Sequence, residues 1–191
     1  MAVLEHIDMD VFNKDSVRGY RNMFASLKVE HPFARLDDME FLRSIGAASV
    51  SEKDKQLHPT AAGLLMFGNE YDIVRQFPDY FLDYRSLLDS NIRWSDRTQS
   101  SSGDWSGNIF DFYFSVYNKL KQSLPFPFKI ASGIRIDDSP LHEGIREALV
   151  NCLVNADYFG PRGVVVISKL KEISFSNPGR LKFDPVKPSS L

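Results

Sequence analysis

Glu147, Asn151 and Asn155 recur at intervals of four within the stretch PLHEGIREALVNCLVNADY, Pro140 to Tyr158. At 3.6 residues per turn, that interval lines all three along one side of a helix. Asn is a poor interior helix former because its amide competes for nearby backbone groups. A merely solvated face is built at less cost from Lys, Glu, Gln and Arg, although for any one of these residues solvation is the commoner reason. A carboxylate and an amide one turn apart suit another task. The amide oxygen can ligate Mg²⁺, which prefers oxygen donors. A carboxylate beside a metal-bound phosphate can orient or deprotonate a water.

The rest of that helix supports a division of faces. Ile145, Leu149, Cys152, Leu153 and Ala156 gather on a second side, which must face a core. Arg146, Val150 and Asp157 form a mixed edge, and Tyr158 extends the polar stripe. Two strands follow, GVVVISK and EISFSN, joined by Leu170-Lys171. Two residues are too few for a crossover, so the strands are expected to form an antiparallel hairpin. Asn177-Pro178-Gly179 then closes the second strand. Gly179 would let the backbone approach a ligand, or would simply serve an ordinary turn.

Upstream, the pattern predicts a helix capped by Asp15 or Ser16, with Val17, Tyr20, Met23, Phe24 and Leu27 at helical spacing. A second helix begins near Asp37, packs Met39, Leu42 and Ile45, and stops at Gly46. The run Gly63 to Phe67 reads as a helix turning into a buried strand, and DYFLDYRSLL as a half-buried strand. Ser95 to Gly107 reads as a mobile polar loop, pinned by Trp105. Phe110, Tyr113, Phe114, Tyr117, Leu120 and Leu124 form the core stripe of a long helix, and FPFKIASGIRID reads as a strand around Ile130, Ile134 and Ile136. DPVKPSSL closes the chain as a Pro/Ser tail. Helices and strands in mixed order with a hairpin indicate an α+β fold.

Composition narrows the function classes. The chain has 191 residues, a net charge of −2 and pI ≈ 6.1, which give no electrostatic footprint for nucleic acid or a membrane surface. No apolar run approaches the roughly 20 residues that span a bilayer. Cys152 is the single cysteine, so no internal disulfide can form, and a cytoplasmic setting is expected. Its apolar neighbours mark it as a packing residue rather than a nucleophile. The four histidines lack metal-ligand spacing. A homodimer through an aromatic surface or an open strand edge is compatible with the composition, though no residue demands one.

IREALVNCLVNADY followed by EISFSNPGRL resembles the "REALvNAlvHRDY … iEisNPGgL" signature of the RecG-related transcriptional regulators. Those proteins carry an AlbA/Schlafen-like DNA-binding domain, a connecting region and a divergent GHKL-type ATPase domain. FLRSIGAAS…LHPTAAGLLMFG and FPDYFLDYR are similar to the family's connector, so the likeness runs from about Phe12 to Leu181. It implies a helical N-terminal segment (1–56), an α/β connector (57–138), a partial GHKL-like helix-plus-sheet unit (139–183) and a flexible tail (184–191). It further implies ATP and Mg²⁺ as cofactors, Glu147 as the water-activating catalytic residue and Asn151 as the metal ligand. Asn155, Asn177 and Gly179 would complete the nucleotide site.

Two departures are plain: Asn155-Ala156 stands where the family commonly has His-Arg, and Asn177 replaces an acidic residue of true ATPases. The chain also lacks the family's later RNP and glycine-rich motifs and its upstream domain. The resemblance therefore implies a fragment of an ATP-responsive transcriptional regulator, meeting DNA only through a domain outside this chain, and binding nucleotide without appreciable turnover. The competing reading is a structural or interaction module that has lost the nucleotide. RecG-like helicase activity is not implied, because no glycine-lysine phosphate loop occurs.

Overall fold

The computed structural model describes residues 2–87, 94–123, 130–131, 134–135 and 140–179. The fold is α+β, as the order of elements suggested. Expectations for Leu124, Ile136 and the 184–191 tail lie outside the described residues.

Helix α1 (Lys14–Leu27) is capped by Asn13, whose side-chain oxygen accepts from the backbone N–H of Asp15 and Ser16 at 3.1 and 3.0 Å. The expected caps Asp15 and Ser16 lie instead in the first turn, where Asp15 complements the helix dipole. Val17 is buried, whereas Leu27 at the far end is 72% exposed. Asp37 caps α2 (Asp38–Ser44) through Glu40 N–H at 2.8 Å. Leu42 packs inward, Met39 does not, and Gly46 stops the helix with φ +79°.

A small hairpin follows, β1 (Ala48–Val50) with β2 (Leu57–Pro59). Thr60 then caps α3 (Ala61–Phe67) by accepting from Gly63 N–H at 3.0 Å. No buried strand follows α3. The chain re-enters a helix after Asn69, α4 (Glu70–Gln76), because Gly68 and Asn69 stay extended and Asn69 O accepts from Asp72 and Ile73.

The main sheet has the order β4-β3-β7-β8. Central β3 (Leu82–Leu87) pairs antiparallel with β4 (Asp96–Gln99) and parallel with β7 (Val164–Lys169). β7 forms the anticipated hairpin with β8 (Glu172–Ser176). β3 is not half-buried. Leu82, Asp83, Tyr84 and Ser86 are all buried, since strands flank it on both sides. The stretch from Ser95 to Gly107 is likewise no plain loop. It contributes β4 and a 3-10 turn, and Trp105 Nε1–H donates to Gln99 O at 2.9 Å.

Helix α5 (Ile109–Ser123) buries Phe110, Phe112, Val116 and Leu120, so its core face holds Phe110 and Leu120 of the expected stripe, while Tyr113, Phe114 and Tyr117 are only partly buried against it. The expected strand near Ile130 is a short pair, β5 (Ile130–Ala131) with β6 (Ile134–Arg135). Helix α6 (Pro140–Val154) buries Ile145, Leu149, Cys152 and Leu153. The core joins Leu4 and Leu64 near the start of the chain to Leu149, Val164 and Val166 near its end. Burial pushes the Cys152 thiol up to about 11, which leaves it unreactive at neutral pH.

The N-terminal segment is strapped onto β2. Leu4 N–H donates to Pro59 O at 2.9 Å, and Ser51 Oγ donates to Glu5 at 2.8 Å. Buried His58 contacts Ile7 O through Nδ1 at 3.0 Å and Asp54 Oδ2 through Nε2 at 2.8 Å. Both contacts are acceptors, so both nitrogens donate only in the imidazolium form. The Ile7 carbonyl and then Asp54 hold the ring's pKa above 6.5. That stabilisation is fully present below 6.5 and is lost as pH rises through the raised folded value. Melting curves across pH should show this loss in the native protein and not in His58→Gln; parallel curves would refute it.

Candidate functional site

Helix α6 holds its polar stripe away from the core because Leu149 and Cys152 anchor its opposite side. Glu147 and Asn151 are exposed, one turn apart, and among the described residues neither side chain makes a hydrogen bond. Their oxygens face solvent, as a ligand-binding pair requires.

Asn155 has a partner within the helix end. The helix ends at Val154, so Asn155 stands just past the last turn. Its backbone N–H and its Nδ2 both donate to Asn151 O, at 3.1 and 2.9 Å. The amide thus adds a second hydrogen bond to a carbonyl of the last turn.

The Asn-Pro-Gly turn is brought to the same place. Asn177 Nδ2 donates to Asn155 O at 3.2 Å, and Asp157 N–H donates to Pro178 O at 2.9 Å. Gly179 takes φ +146°, and a Cβ there would sit 3.6 Å from Asn155 O. Space is adequate, but that backbone strains any residue other than glycine. Below the turn, Tyr158 donates to Leu153 O at 2.8 Å, and burial raises its pKa well above the usual phenol range. Glu147, Asn151, Asn155, Asn177 and Gly179 therefore run along one exposed ridge from mid-helix to the turn.

The residues fit Mg²⁺ in a limited sense. Mg²⁺ keeps several waters and takes one or two protein oxygens beside substrate phosphates. Asn151 and Glu147 can supply those oxygens. Among the described residues no group of three or more His, Cys, Asp or Glu could hold a metal without such help.

A large cavity among the described residues does not coincide with this ridge. Its volume is ≈ 830 Å³, between the first half of α6 and the β7–β8 turn, lined by Leu141, Gly144, Ala148, Ile173 and Phe175. Its walls are mostly apolar, with Lys169, Lys171 and Glu172 at the β7–β8 turn, and none of the five ridge residues lines it.

The sequence reading also missed a buried ionic centre. Asp83 is fully buried in β3 and accepts from Arg97 Nε at 2.8 Å, Arg97 Nη2 at 3.0 Å and Arg85 Nε at 2.6 Å. The Asp83 carboxylate holds the Arg97 pKa above its ordinary value.

The fold is similar to that of the DIP2311 protein from Corynebacterium diphtheriae. The TM-score is 0.66 at 16% sequence identity, with 95% of this chain and 33% of that chain covered. The chain thus spans about a third of its length. A family model described as a domain of unknown function (DUF8451) matches residues 1–83. No curated protein matches. Among the described residues no helix is long and apolar enough to cross a membrane.

Proposed function

We propose that this chain is the connector and leading part of a nucleotide-responsive transcriptional regulator of the RecG-related kind. ATP with Mg²⁺ binds along the α6 ridge and biases an AlbA/Schlafen-like DNA-binding domain outside this chain. One observation carries the reading: Glu147 and Asn151 lie open on the same ridge whose end is tied to the Asn177–Gly179 turn. Asn151 would ligate the metal, which would neutralise phosphate charge when bound. Glu147 would orient water, and Gly179 would admit the base to the backbone.

A second reading, an interaction module without nucleotide, draws on the Asn155 and Asn177 amides. Both already donate to backbone carbonyls and so act in helix termination.

Calorimetric titration with a non-hydrolysable ATP analogue and Mg²⁺ separates the two. Saturable binding is expected, raising stability by about 2.7 kcal/mol at a hundredfold excess over Kd. Asn151→Ala should abolish binding while changing basal stability by less than about 0.5 kcal/mol, since the side chain is exposed. Absence of binding to the native chain and to a longer chain carrying the later motifs would establish the interaction module.

A further inference from the structure

A second cavity, ≈ 440 Å³, opens where edge strand β4 meets α5. The chain contains two tryptophans, and both Trp94 and Trp105 line it. Arg97 and Lys119 contribute cations to the same wall. We propose that this cavity binds a small organophosphate carrying a flat ring, of the size of a nucleoside monophosphate. The site is separate from the α6 ridge.

The donors are held in place before any ligand arrives. Asp83 fixes the Arg97 guanidinium through Nε and Nη2, and its carbon lies 5.2 Å from the Trp94 ring centroid. Lys119 Nζ donates to Asp96 Oδ1 at 2.9 Å and Thr98 Oγ1 at 2.7 Å. A guanidinium has five N–H groups, so Arg97 keeps Nη1 for a phosphate; Lys119 Nζ, which also lies 2.9 Å from Asp96 Oδ2, adds its charge beside it. Fixed cations of this kind recognise anions without first losing side-chain freedom.

The apolar part of the ligand is met by indole. Trp105 is half-buried, lies near-parallel to Phe112 at a centroid distance of 6.3 Å, and has its Nε1–H tied to Gln99 O. A ring that cannot move without breaking these contacts makes a stacking platform. Asp104 also lines the cavity and accepts from Ser102 through Oδ1, leaving Oδ2 for an amine on the ligand's ring. The volume falls within the roughly 300–1,000 Å³ usual for small-ligand sites.

Because both tryptophans line this cavity, intrinsic fluorescence reports on it. Titration of the chain with AMP should give a saturable change. Adenosine should bind at least about tenfold more weakly, since it lacks the charge-assisted bonds. Lys119→Gln should weaken AMP by a similar factor, and Ser115→Phe should fill the cavity and abolish the change. Circular dichroism of both variants should match the native chain. Asn151→Ala should leave the AMP response intact, so failure of the α6 reading and failure of this one are distinct results. The proposal is overturned by any of three outcomes: no saturable change, equal affinity in Lys119→Gln, or loss of the response in Asn151→Ala.

Discussion

Gly63→Ala is expected to destabilise the protein by at least about 3 kcal/mol, lowering Tm by on the order of 10 °C. Gly63 sits in the first turn of α3, and a Cβ there would lie 1.9 Å from Ala47 O and 2.6 Å from its carbonyl carbon. Overpacking is often relieved by a side chain moving aside. Here the obstacle is backbone, and that backbone is held. Ala47 O accepts from Thr60 N–H at 2.9 Å and Thr60 Oγ1 at 3.1 Å, while Ala47 N–H donates to Leu42 O at 2.8 Å. Moving it would break the α3 cap and part the β1–β2 hairpin from α2. Gly144→Ala is the control, because nothing lies within 4 Å of its Cβ and the site is inside α6. That change should stabilise by up to about 1 kcal/mol through helix propensity. Thermal melts of the two variants moving in the same direction would contradict the account.

The second large effect concerns charge. Arg97→Met should cost about 3 kcal/mol, because it leaves the fully buried Asp83 carboxylate with Arg85 as its one cationic partner. Asp83→Leu should cost less, since both arginines retain contact with water, at 25% and 38% side-chain exposure. The ordering follows from which partner is desolvated. The double substitution should recover much of the Arg97→Met loss, giving a coupling of about 1–3 kcal/mol in a double-mutant cycle. Additive losses in urea unfolding would show that the pair is not coupled.

The parts of the fold visible in the sequence are those written in local periodicity. Helix α6 shows its buried face at Ile145, Leu149 and Cys152, and the β7–β8 hairpin shows itself through a two-residue link. β4 is different. Asp96-Arg97-Thr98-Gln99 has no apolar alternation, and its strand character comes from pairing with β3. Asp83 hid for a related reason: in a strand that alternates aromatic and polar residues it counts as solvent-facing. Its burial is tolerated because Arg97 from the next strand joins Arg85 from its own in pairing with the carboxylate. Near the candidate site, Glu147 and Asn151 stand where helical spacing put them. The work of Asn155 was invisible, since its amide meets Asn151 O only because the helix stops at Val154.

The parallel pairing of β3 with β7 also governs the order of events during synthesis. Leu82 has Val164 as its partner, and Leu87 has Lys169. Everything between these segments, including α5 and α6, must leave the ribosome before the central ladder can close. Such distant pairing slows folding because loop closure is completed before the contacts reward it. Until then β3 can pair with β4 alone, and its other edge, carrying Leu82 and Tyr84, stays open to other chains. A nascent chain halted short of Val164 is therefore the species most exposed to aggregation.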